Sequence, residues 1–302
     1  MRVLNGVLLL DKPSGVTSNG VLQQVRKLFG AKKAGHTGSL DPSATGMLPI
    51  CFGEGTKLCG YLLDAEKTYE VDSLLGIATD TEDADGEVIA EHEVPEITLD
   101  QMQAALQGFL GETMQRPPIY SAIKQNGVRS HKLARMGVAL ELPMRPIYVR
   151  EIELLDFTDK RFTLRLRVSK GTYIRSIVRD IGEQFGCGAH VTRLRRISVS
   201  PFEQHTMHSL EQIQAEADAD QLLLAVDEVI GDWPRLQLEA DVAMKFRQGS
   251  KPAFEDVDLA LTAKKQSGDL IRIYDPSEKF LGLGKIFDGR LETVRIIGGQ
   301  LQ

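Results

Sequence analysis

Residues 162–169, "FTLRLRVS", set the first constraint on the fold. Phe162, Leu164, Leu166 and Val168 alternate with positions that include Arg165 and Arg167, the period of a strand with one dry face and one wet face. Another strand-like run, 148–157, precedes it. After it, "GTYIRSIVRDIGEQFG" places Ile174, Ile177, Val178, Ile181 and Phe185 on one side of a helix. Upstream, "GVLLL" at 6–10 reads as a short buried strand ending at Asp11-Lys12-Pro13. Thr17 or Ser18 can cap a helix carrying Val21, Leu22, Val25, Leu28 and Phe29, with Gly30 as its stop. Residues 67–76 alternate as a strand, and Asp85-Gly86 marks a hairpin in the acidic run "TDTEDADGEVIAE". A capped amphipathic helix is expected over 98–111, and "HVTRLRRISVSPF" is strand-like.

Residues 112–146 differ. They mix prolines, glycines and basic residues, and read as a long exposed excursion with one short helix around 130–136. After Trp233-Pro234 short β-like runs dominate, which places a small, mostly β domain at 234–302 behind a larger one at 1–231.

The 302 residues are 42% hydrophobic and contain no run of 18 apolar residues, which argues against a membrane span. The apolar patch near the N-terminus meets a charge and a proline at once, unlike a signal peptide. Cys51, Cys59 and Cys187 are odd in number and lack zinc-like spacing, so a reducing cytoplasm is the expected location. The net charge of −6 speaks against a general polyanion binder, yet it is unevenly spread. Residues 62–113 carry one Lys/Arg against fourteen Asp/Glu, and residues 120–200 carry sixteen against seven. The basic segment either focuses a phosphate-binding face or scatters over solvated surface.

The run "GHTGSLDPSATGMLP", 35–49, spends three glycines and two prolines around Asp41 and one histidine, His36. Two readings of Asp41 stand from the residues alone: an aspartate that caps its own turn, or a carboxylate held for chemistry. His205 and His208 have no third partner in sequence, and a metal is discounted. Lys170-Gly171-Thr172-Tyr173-Ile174-Arg175 sits where a basic strand passes into a helix; either Thr172 caps that helix and Arg175 is solvated, or Arg175 reaches a carboxylate. Tyr69 and Tyr173 lie beside charges on short elements, a setting suited to stacking on an unpaired base.

Five blocks in order carry a resemblance: "GHTGSLDPSATGMLP", "KTYEV", "PPIYSAIK", "SKGTYIRSIVRDIGE" and "CGAHVTRLRR", with "GVLLLDKPSGVTS" before them. Together they closely resemble the bacterial tRNA pseudouridine-55 synthases, over about residues 5–215. The tail from 234 is similar to the small PUA-like RNA-binding domain of such enzymes. The resemblance implies an α+β fold, a mixed and largely antiparallel sheet flanked by helices. It implies that Asp41 is the essential carboxylate, that Arg175 pairs with it, and that His36, Tyr69, Tyr173 and Leu194 surround the uridine. It implies a tRNA partner engaged through its T-arm stem-loop, with no cofactor, by a monomer. Lys124, Arg129, Lys132 and Arg135 of the excursion would then contact RNA phosphates. Ser39 and Ser43 depart from the family's small or apolar residues, and His131 stands where tyrosine is frequent. The rivals are a guide-dependent pseudouridine synthase and a non-catalytic RNA-binding protein.

Overall fold

The computed structural model describes residues 1–121, 123–125, 128–130, 136, 142–231, 233–250, 270–287 and 290–298. Its main sheet is built from β1 (Gly6–Lys12), β2 (Ala34–His36), β3 (Thr45–Phe52), β4 (Lys67–Leu75), β7 (Gly111–Gln115), β10 (Arg145–Thr158), β11 (Arg161–Val168) and β12 (Ala189–Val199). Two small hairpins stand apart from it: β5 (Ile77–Thr79) with β6 (Val88–Glu91), and β8 (Lys124–Gln125) with β9 (Val128–Arg129). The order across the main sheet is β1-β3-β12-β4-β11-β10-β7, and β2 adds to β3. Every pairing is antiparallel except β3 with β12.

The helices follow from the sequence periods. In α1 (Ser18–Leu28), Thr17 is the N-cap and accepts the Gly20 N–H, while Val21, Leu22 and Val25 turn inward. Thr98 and Gln101 form a reciprocal capping box on α3 (Leu99–Gln107). Between them lies the short α2 (Cys59–Asp64). Helix α4 (Ile174–Gln184) buries Ile174, Ile177, Val178 and Ile181. Helices α3 and α4 cover one face of the central strands, packing Met102, Leu106 and the α4 stripe on Val71, Leu164, Leu166 and Val168. Strands β1 and β3 are buried on both faces. Leu8, Leu10, Leu48 and Ile50 pack toward α1, and Val7, Leu9, Met47 and Cys51 pack the other way. Hence their continuous apolar runs, where β11 alternates.

A short α5 (Leu210–Ala215) leads toward the second sheet. That sheet orders β13 (Arg235–Gln237), β14 (Leu270–Tyr274), β15 (Phe280–Phe287) and β16 (Arg290–Ile296), with α6 (Ala240–Arg247) packed on it through Val242 and Phe246.

Two local expectations are corrected. The excursion does not begin at 112: Gly111–Gln115 is the edge strand of the main sheet, paired with β10 from Pro146↔Met114 to Val149↔Gly111. Its mixed polar sequence suits an edge with one wet side. Thr172 does not cap α4, because Tyr173 is the N-cap and makes no side-chain cap bond. The helix expected at 130–136 falls, apart from Ser130 and Met136, outside the described residues.

Candidate active site

The segment between β2 and β3 carries Asp41, and its turn-forming residues are anchored from four directions. Ser18, on the first turn of α1, accepts the Leu40 N–H at 2.8 Å and donates to Leu40 O at 3.0 Å. Lys12, at the end of β1 and fully buried, donates to Pro42 O at 3.1 Å and Ala44 O at 2.7 Å. The Gly15 N–H donates to Pro42 O at 2.9 Å, and Ser14 Oγ to Ser43 O at 3.0 Å. From β12, Arg196 donates to Gly38 O at 3.1 Å and to Met47 O at 2.6 Å. Gly46 (φ +102°) is required where β3 meets β12, because a Cβ there would stand 2.2 Å from Arg196 O.

Asp41 and Arg175 meet: Arg175 Nε lies 3.0 Å from Asp41 Oδ2. The guanidinium is locked, donating from Nη1 to Thr81 O at 2.6 Å and from Nη2 to Tyr120 O at 3.0 Å, with Asp83 Oδ2 at 3.4 Å. The Arg175 side chain is 6% exposed and that of Asp41 is 42% exposed. A fixed cation thus presents a carboxylate that opens to solvent. Asp41 lines a cleft of about 560 Å³ with Thr17, Ser18, Asn19, His36, Ser39, Leu40 and Pro42. Its surroundings push its pKa up from the usual value. Burial is the largest cause, the attraction of Arg175 opposes it, Asp83 and Asp85 reinforce it, and Lys12 opposes it. The pairing is as expected, but Arg175 offsets the burial penalty only in part.

His36 ends β2 in the same cleft with Nδ1 lacking a hydrogen-bond partner. Burial and then Arg196 lower its pKa, so its ring is neutral at pH 7. Tyr173 precedes α4 by one residue. Its backbone is clamped by Gln115, which accepts from Tyr173 N at 2.9 Å and donates to Tyr173 O at 3.0 Å. Burial foremost raises the pKa of its hydroxyl, Ser121 opposes the rise, and Asp41 is near enough to add to it. Tyr69 and Leu194 lie on strands β4 and β12. They stand on the helix-covered face of the sheet, where Tyr69 pairs with Arg196 and Leu166, and Leu194 pairs with Val71. Lys124 and Arg129 oppose one another in the small hairpin β8–β9, and Lys132 and Arg135 lie outside the described residues.

Sequence reasoning passed over Lys12, Ser18's grip on Leu40, Asp83 and Arg196. One signal was available: a lysine that closes an otherwise apolar buried strand needs oxygen partners nearby. The fold also revises the charge reading. Glu66, strand β4 and the turn between β5 and β6 come from the acidic segment and lie against basic strands and helix α4. Arg165 pairs with Glu70, Arg193 with Asp72, Arg150 and Arg167 with Glu66, and Arg179 with Glu82. Much of the excess positive charge of 120–200 is therefore matched within the molecule.

The chain matches the family model "TruB family pseudouridylate synthase (N terminal domain)" over residues 26–174. It also matches "tRNA pseudouridylate synthase B C-terminal domain" over 175–231 and "Pseudouridine synthase II TruB, C-terminal" over 234–297. These matches span the aspartate loop, the arginine helix and both sheets, and define the molecule as a pseudouridine synthase, an isomerase. Curated relatives named tRNA pseudouridine synthase B align nearly end to end. One from Xanthomonas oryzae is 43% identical over 99% of this chain and 96% of its own. One from Nitrosococcus oceani is 44% identical over 98% and 96%. The chain belongs to the TruB family. Among solved structures, a chain of a Cbf5-Nop10-Gar1 complex superposes with a TM-score of 0.76 and 25% identity, covering 98% of this chain and 86% of that one. A chain of an H/ACA ribonucleoprotein bound to a substrate RNA containing 2'-deoxyuridine has the same TM-score at 23% identity, a likeness of fold alone.

Proposed function

We propose that this enzyme converts uridine 55 in the T loop of tRNA to pseudouridine. The conversion breaks the bond from ribose C1′ to uracil N1 and joins C1′ to C5. The C5 proton leaves and N1 gains one, so no group or electron is exchanged with a second reactant. The observation that carries the reading is the Asp41–Arg175 pair, a buried fixed cation under a half-open carboxylate at a cleft. A carboxylate so placed serves as nucleophile on sugar or base, or as base at C2′. The nucleotide reaches it by flipping out of the loop. His36 and Tyr173 then flank the flipped nucleoside, and Tyr69 and Leu194 border it from the sheet, Tyr69 beside the proton that leaves C5. Residues 1–231 form the catalytic domain, and the tail from 234 is a PUA-like RNA-binding module. Lys124, Arg129, Lys132 and Arg135 grip phosphates of the T-arm. The enzyme acts as a monomer in the cytoplasm, without a cofactor.

The test is incubation of the purified protein, without guide RNA, with an unmodified tRNA transcript and with its isolated T-arm stem-loop, followed by mapping of pseudouridine. Modification of the same single uridine in both is expected. Turnover only with an added guide would favour the guide-dependent reading, and binding without turnover the non-catalytic one.

A further inference from the structure

We infer that Arg196 is a positioning residue for the reaction, holding the Asp41 loop in place from the sheet side. The inference rests on Asp41 being the catalytic carboxylate. Arg196 is 1% exposed, and its guanidinium spans two backbone oxygens on different segments. Nε donates to Met47 O of β3, and Nη2 to Gly38 O of the loop, three residues before Asp41. A planar fork can bridge two carbonyls in this way, whereas an ammonium on a flexible stem cannot hold the same spacing.

The charge of Arg196 has neighbours of its own sign. Lys12 and Lys67 are also buried, and each places its ammonium on backbone carbonyls: Lys12 on Pro13, Pro42 and Ala44, Lys67 on Leu62, Leu63 and Ala65. Among the described residues none of the three forms a carboxylate ion pair. Lys12 faces Asp41 of the loop and Arg196 of β12; Lys67 faces Arg196, Asp64 and Lys170; His36 faces Arg196. Three neighbouring buried cations on backbone oxygens, two of them, Lys12 and Arg196, holding the loop, are costly for stability alone, since apolar side chains fill such space more cheaply. The arrangement is accounted for if the loop must stay at one height over the sheet, where displacement by about 1 Å costs roughly a hundredfold in rate.

The test compares Arg196→Met and Arg196→Lys with the parent in three readouts: steady-state kcat and KM on tRNA, melting temperature, and the His36 ring titration by NMR. Arg196→Met is expected to lower kcat by about a hundredfold with KM within about threefold, and to shift the His36 titration upward, because a repelling charge is gone. Arg196→Lys keeps the charge, so His36 should titrate as in the parent while kcat recovers only in part. A folded Arg196→Met with kcat within twofold of the parent overturns the inference. So does a loss that merely tracks the unfolded fraction. If Arg196→Met does not fold, Arg196→Lys decides: unchanged kcat in a folded protein overturns it. A parent that forms no pseudouridine on any tRNA refutes the proposed function instead, and the His36 titration still reports on the charge of Arg196.

Discussion

At the scale of single residues, the decisive balance is between burial and charge at Asp41. Its pKa is raised because the desolvation around it exceeds what Arg175 and Lys12 return. A carboxyl whose folded pKa exceeds its unfolded value holds more protons when folded, within the window between the two. Its cost to stability is therefore absent below the unfolded pKa and complete above the folded one. Asp41→Asn should abolish pseudouridine formation yet raise the melting temperature at pH 7; the gain should fade as pH falls through the carboxylate range. A thermal scan against pH checks this, and a lower melting temperature at pH 7 contradicts it. Arg175→Met removes the main influence that lowers the Asp41 pKa, so the acid limb of the pH–rate profile should move to higher pH and activity at pH 7 should fall. An unmoved limb at full activity would disprove the coupling. Asp41 and Arg175 stood out in the sequence because their motifs are local, but the residues alone left two readings of each, and their pairing came from the resemblance. The sign of the net shift was not legible there, since it depends first on how deeply the fold buries Asp41, with Asp83 and Asp85 brought in from the turn between β5 and β6 adding to the rise.

At the scale of elements, the loop of 37–44 draws its rigidity from its neighbours. Its glycines and prolines permit the turn, but β1, α1 and β12 fix it through Lys12, Ser18 and Arg196. The strands of the core were legible from period: Phe162, Leu164, Leu166 and Val168 are all buried, as their alternation predicted. Strand β7 escaped because Glu112 and Met114 face water and pattern alone cannot distinguish such an edge from a loop. The ion pairs across β4, β11 and β12 escaped because registers between distant segments leave no local trace. Lys12 yields the prediction of this scale. Burial lowers its pKa to about 8, with Arg196 adding and Asp41 opposing. Losing that proton removes the charge and leaves two N–H donors for the three carbonyls of Pro13, Pro42 and Ala44, so the hold on the loop weakens and kcat should fall along an alkaline limb near pH 8. Stability should not fall with it: a lysine with a depressed folded pKa relieves its burial cost as pH rises from the folded toward the unfolded value. Lys12→Met should lose the limb and run about tenfold slower at pH 7, within the range of one misplaced catalytic group. A limb persisting near pH 8 in that variant would assign it to another group.

At the scale of the whole molecule, the second sheet is joined to the first by a shared core. Leu283, with Phe280, Val294 and Ile297, packs into the cluster that holds Leu58, Leu62, Val229 and Ile230. Tyr61 meets Trp233 edge to face at 4.8 Å. Polar ties follow the same seam: Arg272 Nε donates to Trp233 O at 2.9 Å, Lys57 Nζ to Ile296 O at 3.1 Å, and the Gly298 N–H to Glu54 Oε2 at 2.9 Å. The Tyr274 hydroxyl, whose pKa burial and Asp227 push upward, stays protonated and donates to that carboxylate. A sequence that changes character at Trp233-Pro234 invites the view that the tail detaches without harm. The seam argues otherwise. A chain ended at Gly231 leaves Leu62, Val229 and Ile230 without cover, and each large apolar residue so exposed forfeits about 1.5–3 kcal/mol. Partial repacking leaves a loss of roughly 3–5 kcal/mol from a total of about 5–15. The shortened protein should melt about 10 °C lower or more and bind a hydrophobic dye, and its tRNA affinity should be compared only after correction for the folded fraction. Leu283→Ala in the full chain separates the two contributions. It thins the seam at a cost of about 2–5 kcal/mol while leaving the tail present, so tRNA affinity at low temperature should stay near the parent's. If the shortened protein melts with the full chain, the seam is only a contact between independent domains. If Leu283→Ala loses as much affinity as removal of the tail, the seam itself fixes the RNA-binding orientation.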